Sequence, residues 1–210
     1  VMTLAAAIEE KKITPETVLT IPYALKRSVK TFHDHEPHPT QRLTTAGVLA
    51  VSSNTGSIKI GEMLSNDKLY EYLTKFGIGS KTGSGLPGES RGILPKVADW
   101  SGTTAPTVAF GQGYSVTAMQ ATSVFATIAN DGVRVSPTVI AGTSDSSGNY
   151  TPSATRESVR VISAETAAQM RLMMESVVSA NGTAPSAAIP GYRVAGKTGT
   201  AQRIDDTCGC

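Results

Sequence analysis

Ser52-Ser53-Asn54 and Lys197-Thr198-Gly199 are the stretches whose residue types and spacing could do chemistry. A serine hydroxyl and an asparagine amide two positions apart can relay a proton and anchor a substrate amide, which is what acyl transfer by a serine requires. Ser and Asn also terminate helices readily, so the tripeptide alone is a weak signal. In a strand, residues two apart share a face, so Lys197 and Gly199 point the same way. An ammonium beside a vacant glycine position leaves room for an extended substrate backbone. Thr198 and Thr200 add hydroxyls and N–H donors along the same edge.

The wider stretch GYRVAGKTGT, residues 191–200, also spells a phosphate-binding loop, G-x-x-x-x-G-K-T. That loop needs a buried strand before its first glycine and a helix starting at the Lys-Thr. The preceding TAPSAAIP is small and Pro-broken, and Gly199 stands where the helix should begin. Tyr192-Arg193-Val194-Ala195 alternates as a strand does and Tyr192 to Gln202 reads as a last strand, so nucleotide binding is set aside.

Three other groups compete for attention. Lys81-Thr82-Gly83 repeats the tripeptide but lies in FGIGSKTGSGLPGES, where Gly and Pro mark a loop. Ser65-Asn66-Asp67-Lys68 is the one S-x-x-K, and its serine is most simply a helix N-cap. His33, His35 and His38, with Asp34 and Glu36, could hold a metal, but no helix fixes their geometry and a solvated loop beside the cleft is the simpler reading. Cys208 and Cys210 could be half a metal site or a strained disulfide. Trp100 and Phe110 read as core or loop anchors, with a cleft-lining role open for Trp100.

The elements that must position these residues are mixed. Residues 2–12 read as the tail of a helix, 18–21 as a strand and 28–40 as a polar loop. Residues 41–51 read as a helix running into Ser52. Helical spacing continues over 55–64 and 67–76, with Gly77 as a cap. Residues 77–113 read as one long irregular region, uncommon unless functional. Helices are expected over 117–130 and 164–179, strands at 133–140 and 160–162, and a hairpin or loop over 141–155. The absence of a βαβ rhythm favours α+β with an antiparallel sheet.

The 210 residues are 40% hydrophobic and carry a formal net charge of +2, which suits one globular unit and makes nucleic acid a poor partner. No apolar run approaches the ~20 residues that cross a bilayer. The chain opens without Met, in a helix-like pattern, and is expected to be an excised piece.

LTTAGVLAVSSNTG, FGIGSKTGSGLPGES, VAFGQGYSVTAMQATSVFATIANDG and VAGKTGTAQ, in that order, resemble the transpeptidase domain of class B penicillin-binding proteins of the cell-division type. The resemblance covers nearly the whole chain, so 1–210 is expected to be a partial transpeptidase domain. It implies a penicillin-binding-protein/β-lactamase-like fold with a central antiparallel sheet flanked by helices.

The family's activity is serine-type D-Ala-D-Ala transpeptidation, cross-linking peptidoglycan stem peptides through an acyl-enzyme that β-lactams trap. A β-lactam sensor or a non-catalytic division scaffold on the same fold is the alternative; β-lactam hydrolysis fits less well. The resemblance implies that Ser52 relays a proton, Asn54 binds the substrate amide, and Lys197 steadies Ser52. It implies further that Thr198 binds a carboxylate, Gly199 stays small, and the Thr200 N–H forms half of an oxyanion hole. The family's nucleophilic serine and its lysine are absent from this chain and expected just before Val1. The closing strands are expected after Cys210. No metal or cofactor is implied. The implied partners are stem peptides, β-lactams and divisome membrane proteins, with the domain on the extracytoplasmic face of the cell membrane.

Overall fold

The structure is a computed structural model and describes residues 1–154 and 156–201. Helix α1 (Met2–Glu9) is its axis: Leu4, Ala5, Ala6 and Ala7 are all buried. A helix apolar on every side has to be surrounded, and its alanines let neighbours approach closely. Helices α3 (Asn54–Gly61), α4 (Asn66–Lys75) and α7 (Ala164–Val178) pack against it. Ile58, Ile60, Leu73, Phe76, Met170 and Val177 complete the core.

The class is α+β. Among the described residues the strands pair as four two-stranded antiparallel ladders. Strand β1 (Val18–Ile21) pairs with β4 (Gln41–Thr44), and β2 (Ala24–Arg27) forms a hairpin with β3 (Lys30–His33). Strand β5 (Val133–Val135) pairs with β8 (Ser158–Arg160), and β6 (Gly142–Ser144) with β7 (Tyr150–Pro152). No helix is long and apolar enough to cross a membrane among the described residues.

Several elements differ from the sequence reading. Residues 28–40 contain β3 as well as loop. The helix expected over 41–51 splits into β4 and α2 (Thr45–Ala50). Thr44 divides them: its side chain accepts the Gly47 N–H at 3.0 Å and starts the helix, while the residues before it pair with β1.

The region 77–113 holds α5 (Thr104–Phe110), whose Pro106 lies in the first turn, where its missing N–H is harmless. Gly111, at φ 100°, closes that helix. Of the strand read over Tyr192 to Gln202, residues 192–201 join no ladder among the described residues, and Gln202 lies outside them.

Helix α6 (Ala118–Ala129) starts on a capping box between Thr117 and Gln120. Buried Gln120 also donates to the Ser80 and Arg91 carbonyls and ties the 77–92 loop to the helix. Lys81-Thr82-Gly83 lies in that loop, where Glu89 accepts from the Thr82 N–H at 2.6 Å. Ser65 caps α4, accepting from the Lys68 N–H, and Lys68 pairs with Glu71 at 2.9 Å.

Candidate active site

Helix α2 ends in a reversal that determines where Ser52 points. The Ser53 N–H bonds the Val48 carbonyl at 3.0 Å and the Ser52 N–H bonds the Leu49 carbonyl at 3.2 Å. This Schellman pattern requires a left-handed residue at its turning point, a position usually filled by glycine. Here Ser52 fills it, at φ 57°. A side chain in that conformation costs about 1 kcal/mol. Strain held at a residue whose hydroxyl faces a cleft is a pointer to function.

The Ser52 Oγ accepts a hydrogen bond from Lys197 Nζ at 2.6 Å. Lys197 Nζ also donates to the Thr198 carbonyl at 2.9 Å and lies 3.2 Å from Thr198 Oγ1. All three partners are uncharged oxygens, and among the described residues no carboxylate forms an ion pair with this lysine. Desolvation of the half-buried side chain lowers the Lys197 pKa from the ordinary lysine value.

Ser53, between the two motif residues, is 1% exposed and caps α3, accepting the Gly56 N–H at 2.9 Å. Asn54 opens α3 and donates from Nδ2 to the His33 carbonyl at 2.9 Å. That leaves its amide oxygen and its other N–H for a ligand.

The two motifs face one cleft of about 940 Å³. Ser52 and Asn54 line one side, and Lys197, Thr198, Gly199 and Thr200 another. Residues 109–112, at and just past the end of α5, and Asp34, His35, Glu36 and His38 contribute further walls, and Val1 lines the cleft just before α1. A Cβ built on Gly199 meets nothing within 4 Å, so the space before it is open. An apolar groove of about 300 Å³, with Phe110, Tyr114 and Phe125 on its walls, adjoins Lys197–Gly199. All six predicted site residues are therefore brought to one cavity. No helix starts at Lys197, so the phosphate-loop geometry is not formed.

Trp100 anchors its loop, donating to the Pro95 carbonyl at 3.0 Å. Phe110 lines the cleft instead and packs edge-on against Phe32, 5.9 Å between ring centres. The histidine segment is not a fully solvated loop. Asp34 is 8% exposed, and His38 presents Nε2 to it at 3.0 Å while Nδ1 faces the Pro39 carbonyl at 2.8 Å.

Among the described residues no group of three His, Cys, Asp or Glu is arranged to hold a metal. Cys208 and Cys210 lie outside the described residues.

Sequence reading missed Thr183, whose hydroxyl lies 2.8 Å from Thr198 Oγ1 and whose N–H bonds the Ala50 carbonyl at 3.1 Å. Its only sequence signal is a small polar residue after a Gly, too common to single out.

Ser52 and Asn54 meet the Lys197-Thr198-Gly199 segment in one open cleft, with Ser52 and Lys197 in direct contact, an arrangement chemically suited to serine acyl transfer. Comparison with known proteins gives the family. The penicillin binding protein transpeptidase domain matches residues 1–210, and the chain belongs to that family. It is 43% identical over 216 residues to penicillin-binding protein PbpB of Mycolicibacterium smegmatis, covering 100% of this chain and 33% of that protein. It is 34% identical over 214 residues to peptidoglycan D,D-transpeptidase FtsI of Escherichia coli, covering 97% of this chain and 32% of that protein.

In structure it is similar to penicillin binding protein 3 of Mycobacterium tuberculosis complexed with aztreonam, with a TM-score of 0.97 and 41% identity over 100% of this chain and 48% of that one. The same protein complexed with ampicillin matches equally. The resemblance to class B penicillin-binding proteins is thus borne out. The chain spans about a third of the length of the curated relatives it matches.

Proposed function

We propose that this chain is part of a peptidoglycan D,D-transpeptidase that acts through an acyl-enzyme, is inhibited by β-lactams and serves septal wall synthesis. The observation that carries the reading is the 2.6 Å contact between Lys197 Nζ and Ser52 Oγ at the wall of an open cleft. The relatives named as D,D-transpeptidases and the neighbour complexed with aztreonam and ampicillin support it. Residues 1–210 are read as a partial transpeptidase domain on the extracytoplasmic face of the cell membrane, working with divisome membrane proteins.

The nucleophilic serine and its lysine are proposed to stand immediately before Val1 in the complete protein, a reading supported by Val1 lining the cleft. The serine oxygen attacks the carbonyl of the penultimate D-Ala of a stem peptide. Its proton passes through Ser52 to the departing amine of the terminal D-Ala, and an ester is left on the serine.

Lys197 holds the Ser52 hydroxyl and keeps positive charge in the cleft. Thr198 donates to the terminal carboxylate of the peptide, or to the matching carboxylate of a β-lactam. Asn54 hydrogen-bonds the substrate amide, and Gly199 leaves the peptide room to lie along the edge. The Thr200 N–H meets the developing oxyanion together with the nucleophile's own N–H. An acceptor amine then attacks the ester, loses a proton to the relay and frees the serine.

The test is the complete protein incubated with a pentapeptide stem and an amine acceptor. D-alanine release with formation of the cross-linked product is expected, and Ser52→Ala should suppress both strongly. Hydrolysis of penicillin at a comparable rate would contradict the biosynthetic reading.

A further inference from the structure

Asp34 is a buried carboxylate to which the proposed chemistry gives no role. It stands just past β3, its N–H bonded to the Tyr23 carbonyl at 3.1 Å. Its Oδ1 accepts the Thr55 N–H at 2.8 Å. Its Oδ2 accepts from Ser53 Oγ at 2.7 Å and faces His38 Nε2 at 3.0 Å, with Thr55 Oγ1 at 3.3 Å. The residues on both sides of Asn54 are therefore pinned to one carboxylate, and Asn54 itself is pinned to the neighbouring His33 carbonyl.

A left-handed serine persists only where its surroundings over-determine it. Ser52 sits directly before this clamp. The Ser52 N–H bond to Leu49 fixes its amino side, and the Ser53 N–H bond to Val48 together with the Asp34 bonds fixes the chain that leaves it. Both His38 nitrogens face oxygen acceptors, which favours the doubly protonated ring and balances the buried carboxylate. Tyr23 packs against both His33 and His38 and completes the support.

We propose that Asp34 is a positioning residue for the proton relay: by bracing Ser53 and Thr55 it holds Ser52 in the left-handed conformation that aims its hydroxyl at Lys197. The inference rests on the acyl-transfer reading and adds a residue that the Ser-x-Asn and Lys-Thr-Gly motifs do not contain. An asparagine cannot replace this carboxylate, because its amide nitrogen cannot accept from Ser53, His38 or Thr55. Asp34 touches neither Ser52 nor Lys197, so it acts through the turn alone.

The test uses the complete protein and labelled penicillin, comparing wild type, Asp34→Asn and Leu69→Ala, a core change in α4 that serves as a stability control. In folded Asp34→Asn the acylation rate should fall between about 10-fold and 100-fold, the loss expected when a reacting group is misplaced by ~1 Å. The alkaline limb of its pH profile should move up, because a displaced Ser52 lets water reach Lys197. Leu69→Ala should lower the melting temperature and leave rate and limb in place.

An unchanged rate in Asp34→Asn, or an equal fall in Leu69→Ala, overturns the proposal. If Asp34→Asn does not fold, His38→Gln decides: a slower rate supports the clamp and an unchanged one overturns it. Wild type that forms no adduct removes the acyl-transfer reading, and this inference with it.

Discussion

Ser52 Oγ lies 2.6 Å from Lys197 Nζ, and Ser52 reaches it from a left-handed backbone at φ 57°. Glycine would adopt that backbone without strain but has no hydroxyl. The two demands can be separated by substitution. Ser52→Gly should gain up to about 1 kcal/mol of stability from relief of the turn. Ser52→Ala keeps the strain and should gain nothing. Both should slow penicillin acylation of the complete protein by about 10²-fold or more, the worth of a positioned proton-transfer group. Thermal unfolding and stopped-flow acylation, run on both variants, check the pair.

The lowered pKa of Lys197 makes a prediction about pH. Burial disfavours its charged form, so the ammonium loses its proton at a lower pH than an exposed lysine, ordinarily near 10.4. The alkaline limb of the acylation profile should therefore fall below that value. Lys197→Arg cannot titrate in this range, and its profile should lose the limb whatever its absolute rate. The sign for stability follows. Between the folded and unfolded pKa values the unfolded chain binds more protons, so this residue's contribution to stability rises with pH there.

Two glycines should respond oppositely to alanine. A Cβ at Gly56 would stand 2.7 Å from Val48 Cγ1, so Gly56→Ala should cost roughly 1–3 kcal/mol through overpacking of α3 against α2. A Cβ at Gly199 meets nothing within 4 Å, and Gly199→Ala should leave the melting temperature alone. Its methyl group would instead occupy ligand space and weaken acylation by penicillin. Melting curves and acylation rates together separate the two.

Thr183 should matter to carboxylate recognition. Thr198 Oγ1 has two acceptor sites, and Lys197 Nζ and Thr183 Oγ1 approach it at 3.2 and 2.8 Å. If both donate, the Thr198 proton is left to meet an anionic ligand. Thr183→Val should therefore raise KM for a stem peptide with a free terminal carboxylate. For its C-terminal amide, KM should hardly change, and Thr183→Ser should restore the original difference.

That the motif residues meet in one place was legible because they sit in short motifs with a fixed order. Ser52, Asn54 and Lys197 stand apart in the sequence but line one cleft. Ser65 was legible too, since its one-turn relation to Lys68 is a local cap. The supporting residues were not. Asp34 acts across 19 positions on Ser53, and Thr183 across 15 on Thr198, with no periodicity to connect either pair.

The helix read over 41–51 failed at its first turn, because residues 41–44 have β1 as a partner and propensity yields to pairing. Pro106 hid α5, since a proline in a first turn looks the same in sequence as one that breaks a helix. The strand read from Tyr192 to Gln202 rests on alternation over 192–195, yet a ladder needs a neighbour that the described residues do not provide.

The central claim is that Ser52 and Lys197 serve a nucleophile carried on the chain before Val1. The most direct measurement is to label the complete protein with penicillin, digest it and locate the adduct by mass spectrometry. The account predicts one ester-linked adduct, on a serine N-terminal to Val1, forming much more slowly when Ser52 is alanine. An adduct on Ser52, Ser65 or any other residue from 1 to 210, or no adduct at all, would contradict it.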